Sequence, residues 1–149
     1  MAERLRNDLA EEKADFTFET VLSTERHLVF LRKAKKAGYN VRCIYVLTCK
    51  ADINVARVRA RVRAGGHDVP ENKIRKRYAK ALKLLPQLID ICDEILIYDN
   101  SIEPALIFHK NKERFFGMGT VFPTEIWPLE KLKDLLKCRY GILDFRRLP

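Results

Sequence analysis

Runs of apolar residues long enough to cross a membrane are missing from this sequence, and its N-terminus carries no hydrophobic signal-peptide core. These absences predict a soluble protein of the cytoplasm. Cysteine is sparse: Cys43, Cys49, Cys92 and Cys138 stand apart, with no Cys-x-x-Cys pair and no histidine at metal-ligand spacing. That argues against a structural zinc and against a disulfide framework, so no metal ligands are expected. Cys43 and Cys92 fall in apolar stretches and are expected as small core residues. Internal repeats, low-complexity tracts and linker-like stretches are absent too, and the 149 residues fit one domain with enough apolar content for a core.

What the sequence has in excess is positive charge. Lys and Arg number 29 against 20 Asp and Glu, and the imbalance is local: 11 basic residues between Lys50 and Lys83 face only Asp52, Asp68 and Glu71. That segment holds +8 of the formal +9. Such a concentration favours a phosphate-bearing partner, without choosing among nucleotide, nucleic acid and acidic lipid.

The periodicity predicts an α/β chain with a parallel sheet. Residues 2–14 are polar and helix-prone, with Leu5 and Leu9 as a thin apolar stripe. Phe16–Thr20 alternates like a strand. Ser23 or Thr24 is placed to cap a helix that Gly38 stops near Ala37. Cys43–Leu47 is a continuous apolar run expected to be buried on both faces. A basic helix from about Ile53 to Ala64 ends at Gly65-Gly66. Asp68-Val-Pro-Glu71 then opens another, with Asp68 as cap and Glu71 reaching back, running to about Leu85 with Ile74, Tyr78, Ala81 and Leu85 inward. Ile95–Tyr98 is a second buried strand, followed by the turn Asp99-Asn100-Ser101. Beyond it, residues 102–149 read as a hairpin (Ala105–His109 and Arg114–Phe116) and a short helix over Pro128–Lys137, packed on the same domain as residues 1–101.

Several residues carry both a chemical and a plain structural explanation. Glu19-Thr20 falls at a strand's carboxyl end, where ligands collect in α/β sheets; Glu19 either orients a substrate or simply pairs with an arginine. Arg57 and Arg61 share one helical face and Arg59 and Arg63 another, because each pair is four residues apart. One pair suits a phosphate clamp, through the planar fork and permanent charge of guanidinium; the other points to solvent. Arg75 and Arg77 are their counterparts on the next helix. Gly65-Gly66 permits a sharp reversal suited to a hinge or lid tip. His67 is a phosphate contact or a structural loop residue, and Asp99-Asn100-Ser101 is the wall of a base pocket or a plain turn.

Taken together, Phe18-Glu-Thr-Val-Leu-Ser23, Gly38-Tyr39, the block Arg57-Val-x-x-Arg61-Val-x-x-Gly-Gly-His67-Asp-Val-Pro70-x-x-x-Ile74-x-x-Arg77-Tyr78, and Tyr98-Asp-Asn-Ser101 resemble the C-terminal two-thirds of a zeta-toxin-like P-loop kinase, or predicted ATPase, over residues 5–101. The resemblance implies an incomplete P-loop NTPase fold of nucleoside-kinase type, with a parallel sheet and a helical lid, and binding of ATP and Mg²⁺. It implies that Arg61, Arg63, Arg75 and Arg77 are lid arginines acting on the transferring phosphoryl group. Glu19, Thr20 and Ser23 would face the substrate, a small molecule or sugar nucleotide. Arg57, His67, Asp99 and Asn100 would lie along the nucleotide.

The departures weigh as much. No G-x-x-x-x-G-K-[ST] occurs anywhere, and Gly117-Met-Gly119-Thr120 has neither its spacing nor its lysine. Val21 replaces a polar residue common in the family's form of the motif. The expectation is a chain that begins too late for the phosphate loop and catalytic acid, and is inactive on its own. Three alternatives stay open: a basic nucleic-acid-binding module, a toxin–antitoxin type interaction protein, and self-association through an exposed sheet edge.

Overall fold

The computed structural model describes residues 2–111 and 114–117. Along the chain these form α1 (Ala2–Glu11), α2 (Arg26–Lys36), β1 (Arg42–Leu47), α3 (Ala51–Arg63), α4 (Glu71–Ile91), β2 (Glu94–Asp99), β3 (Ala105–Asn111) and β4 (Arg114–Gly117). The strands make one four-stranded sheet in sequence order. β1 and β2 are parallel, joined through α3 and α4, whereas β2–β3 and β3–β4 are antiparallel. The architecture is α/β as expected, but the sheet is mixed and holds a single parallel pair among the described residues. The hairpin over residues 105–117 is present; the helix expected over 128–137 lies outside the described residues.

The core occupies one face of the sheet. There Ile95 and Ile97 of β2, Ile107 and Phe108 of β3 and Leu47 of β1 meet Leu84, Leu85, Leu88, Ile89 and Ile91 of α4 and Leu28 and Ala34 of α2. α4 therefore runs six residues past its expected end at Leu85, and through Pro86. An interior proline costs a helix about 3 kcal/mol, but each fully buried Leu or Ile returns roughly 1.5–3 kcal/mol, and four of the five core side chains that α4 supplies follow Leu84. Burial outweighs the local penalty. The helix end is closed from outside, by Lys110 of β3, whose ammonium donates to Ile89 O at 2.6 Å and lies 3.4 Å from Asp90 O.

β1 is not buried on both faces. Among the described residues it is an edge strand, with Ile44 70% and Val46 56% exposed. Period-two burial on a half-covered edge leaves a continuous apolar run looking like a central strand. Phe16–Thr20, expected as a strand, is extended but joins no ladder. Its alternation serves a ring cluster instead: Phe16 and Phe18 pack on Phe30 at 6.1 and 5.9 Å between centroids, Phe16 meets Tyr39 at 6.3 Å, and the Arg6 guanidinium sits 4.9 Å over Phe18. Two rings on one side of an extended segment give the same alternation as a sheet face.

The helix starts differ from expectation. α2 follows Glu25 and α4 follows Pro70, neither with a side-chain capping bond, so Ser23, Thr24 and Asp68 do not cap. The glycine stop holds: Gly38 has φ +92°, its N–H donates to Lys35 O and that of Tyr39 to Ala34 O, a Schellman ending. Between the end of α4 and β1, Asp93 acts as a clasp. Its carboxylate accepts the Val41 N–H at 2.8 Å and pairs with Lys35.

Burial pushes the Asp93 carboxyl upward, but the Lys35 ammonium and the Val41 N–H outweigh it and hold it below the usual range. A carboxyl lower in the folded than in the unfolded chain contributes stability above its unfolded pKa of about 3.9, and loses it as pH falls through the folded value. Asp93→Ala is therefore expected to lower the unfolding free energy by about 1–3 kcal/mol at neutral pH, with the deficit shrinking in acid. A deficit as large in strong acid as at neutrality, measured by urea denaturation, would refute the clasp.

Candidate anion-binding site

The carboxyl ends of the two parallel strands are joined by a polar network. Asn100 N–H donates to Leu47 O at 2.8 Å, and Cys49 N–H to Ser101 Oγ at 2.7 Å. Asp99, only 4% exposed, accepts both the N–H and the hydroxyl of Ser101 and so fixes the turn after β2. Buried Thr48 is the other node: its hydroxyl donates to Lys50 O at 3.2 Å and accepts from Asn54 Nδ2 at 2.9 Å, while its carbonyl accepts from Tyr78 OH at 2.8 Å. Burial, then neighbouring anionic groups, pushes the Tyr78 phenol up, so it stays a donor. This network orients α3 as it leaves β1. Arg57, one turn further along α3, completes it by donating to Asn100 O at 2.7 Å.

Of the residues expected along a nucleotide, the structure thus brings Arg57, Asp99 and Asn100 together. It leaves His67 on the loop, where its carbonyl accepts from Arg61 Nη2 at 3.0 Å. Ser101, expected with them as the wall of a base pocket or a plain turn, belongs to the same cluster, and so do Thr48, Asn54 and Tyr78, which were not singled out as site residues. Their signal was present: Tyr78 is the lone aromatic among the basic residues, and Thr48 directly follows an apolar strand.

The helical-face pairing of the arginines holds. Arg57 and Arg61 both donate to backbone carbonyls, whereas Arg59 and Arg63 line a cleft between α3 and α4. The acids then divide the remaining charge. Glu71 pairs with Arg59 at 2.7 Å and Arg75 at 2.7 Å, and Arg75 also reaches Asp52 at 2.6 Å. The Arg75 bond first, then the nearby charges, holds the Glu71 carboxyl below its usual range. Arg75 is accordingly tied between the two helices. Arg63 and Arg77 are exposed and have no ion-pair partner among the described residues.

Gly65-Gly66 closes α3. Gly65 has φ +86° and donates to Val62 O, and Gly66 donates to Arg61 O, the same ending as at Gly38. A Cβ on Gly66 would stand 2.6 Å from Arg61 Cγ, so this pair packs against the arginine it follows.

Glu19, Thr20 and Ser23 lie on the turn before α2. Leu22, 3% exposed, takes φ +51°, a left-handed conformation rare for leucine. Its N–H donates to Thr20 Oγ1 at 3.2 Å, and Thr20 Oγ1 lies 3.1 Å from His27 Nδ1. Burial first, then Arg6 and Arg26, pushes the His27 ring below its ordinary pKa. Leu22 buries its side chain in the core while Glu19, Thr20 and Val21 stay exposed. Among the described residues no hydrogen bond or ion pair joins Glu19 to the arginine helices, and no group of three or more His, Cys, Asp or Glu is placed to hold a metal.

The zeta toxin family model matches residues 1–113. An uncharacterized protein of Haemophilus influenzae is 35% identical over 63 residues, which is 42% of this chain and 45% of that protein. The chain thus matches less than half of that relative's length. No solved structure matches, and no described helix is long and apolar enough to cross a membrane.

If the two glycines are a helix ending, Gly65→Ala will cost about 1–2 kcal/mol for the left-handed residue, read by urea denaturation. Gly66→Ala will in addition displace Arg61 from His67 O. An unchanged stability for Gly65→Ala would mark the pair as a freely moving hinge.

Proposed function

The chain belongs to the zeta toxin family, and from that premise we propose that it binds a nucleotide through the arginines of α3 and α4. Its complete relatives, on this reading, transfer phosphate from ATP to a small molecule or sugar nucleotide. The observation that carries it is positional. α3 leaves the carboxyl end of β1, and its Arg57 is anchored to the residue that follows β2, the edge of an α/β sheet where ligands gather. Arg63 and Arg77, without ion-pair partners among the described residues, supply charge for phosphates; Arg61 is held at His67 O.

The residues fit one part of such a ligand and not the other. Guanidinium forks suit phosphate oxygens. The cradle does not fit: the described helices begin at Glu25, Lys50 and Pro70 rather than at a glycine-rich loop, and the sequence has no phosphate-loop lysine with its adjoining hydroxyl. Nor do the described residues offer a donor set for Mg²⁺. ATP and Mg²⁺ supply a transferable phosphoryl group and its charge neutralisation when a complete site holds them. In this chain the arginines bind and orient, Arg75 and Glu71 hold the two helices together, and no transfer step follows.

Calorimetric titration with ATP and with a UDP-linked amino sugar is the test. Selective saturable binding is expected, weakened about tenfold or more, roughly 1.4 kcal/mol, by the double substitution Arg63→Ala and Arg77→Ala, with no ADP released. Indifferent binding of DNA and RNA with a steep salt dependence would replace this reading with a nucleic-acid one. ADP release that disappears in the arginine variants would show transfer by the chain alone.

A further inference from the structure

The sheet has two faces, and the core covers one of them. Cys43, Tyr45 and Leu47 of β1 turn toward the core, so Ile44 and Val46 turn away from it. The register carries this outer face across the sheet: Ile44 pairs with Leu96, and Val46 with Tyr98, which pairs in turn with Leu106. Ile44 and Val46 are exposed, and Leu96, Tyr98 and Leu106 are half-buried. The described helices are engaged elsewhere: α2 and α4 in the core, α3 on α4, and α1 against Tyr39 and Phe18. The charged end of the face is settled within itself, since Glu94 pairs with Arg42 at 2.6 Å and lies 3.1 Å from His109 Nε2. What remains is four aliphatic side chains and one phenol ring, carrying no charge. Strands paired in parallel are ordinarily covered on both faces, and an open aliphatic face forfeits the gain of burial.

We infer that residues 128–137 of this same chain cover the outer face, as an amphipathic helix whose Leu129, Leu132 and Leu136 meet Ile44, Val46 and Leu96. Three observations select this occupant. The first is pattern. Pro128 suits the first turn of a helix, Leu129, Leu132 and Leu136 recur at i, i+3 and i+7, and Glu130, Lys131 and Asp134 fall on the opposite side. The second is reach. β4 ends at Gly117, three strand spacings or roughly 14 Å from β1, and residues 118–127 extend to about 33 Å. A helix over 128–137, about 15 Å long, then bridges β1 to β3. The third is tethering, because a segment on so short a linker meets the face at an effective concentration in the millimolar range. A second copy must displace that segment, and a polyanion finds no donor on the patch.

The inference is independent of the nucleotide reading, because no arginine of α3 or α4 enters it. The experiment is methyl NMR on the full chain, labelled at Ile, Leu and Val. Cross-peaks from the Ile44 and Val46 methyls to those of Leu129, Leu132 and Leu136 are expected. They should vanish under a filter that passes only contacts between molecules, in a mixture of labelled and unlabelled chains. Leu132→Ala should move the Ile44 and Val46 signals and leave Val58 of α3 where it was. Should that variant fold poorly, the cross-peaks of the unaltered chain decide alone. Three results overturn the inference: no cross-peak between the two sets of methyls; cross-peaks that pass the filter, which would put a second copy on the face; or contacts from the three leucines to α3 and α4 instead.

Discussion

Burial of the second half of α4 against the sheet is the interaction on which the other elements depend. Leu84, Leu85, Leu88, Ile89 and Ile91 touch or approach β1, β2, β3 and α2 through one continuous cluster. Because that half is held, the first half can extend beyond the core and still be aimed. Its Tyr78 reaches back to Thr48 at the end of β1, and its Glu71 and Arg75 tie down α3. The site is thus built on a cantilever. A rigid buried end carries a polar, solvent-facing end, and Arg75 and Arg77 sit on the latter.

Charge on α3 and α4 is sorted by geometry. Eleven basic residues look interchangeable as a list, yet exposed ion pairs, individually worth little, still sort them by geometry. Of the six arginines, Arg59 and Arg75 are paired with acids, Arg57 and Arg61 are turned onto carbonyls, and Arg63 and Arg77, like the five lysines of the segment, have no ion-pair partner among the described residues.

Much of the chain was legible because its signals are local. The strands at Cys43 and Ile95, the hairpin after Pro104, the glycine endings at Gly38 and Gly65 and the four-residue pairing of the arginines all follow from short-range patterning. The failures have one physical source, which is that a pattern does not say what it packs against. Phe16 and Phe18 alternate for a ring cluster and not for a ladder. Ile44 and Val46 look central but lie on an edge. Pro86 to Ile91 continues as helix, proline included, because the core rewards it. The polar nodes Thr48 and Asn54 escaped notice for the same reason, since Thr48 finds its partners 6 and 30 residues away in the chain.

The lysine at the end of α4 sets an order of assembly. Ile89 O is capped by a side chain 21 residues downstream, on a strand that reaches it only after β3 has folded back on β2. Until that happens the last turn of α4 keeps an open carbonyl end, and the most apolar stretch of the chain has no lid over its terminus. Helices ordinarily finish themselves with a nearby residue; this one waits for a non-local contact, and such contacts form slowly because their loops must close first. On a chain emerging from the ribosome, the core cannot be sealed before residue 110 has cleared the exit. The antiparallel half of the sheet thus completes the end of α4, while the candidate site lies at the parallel half.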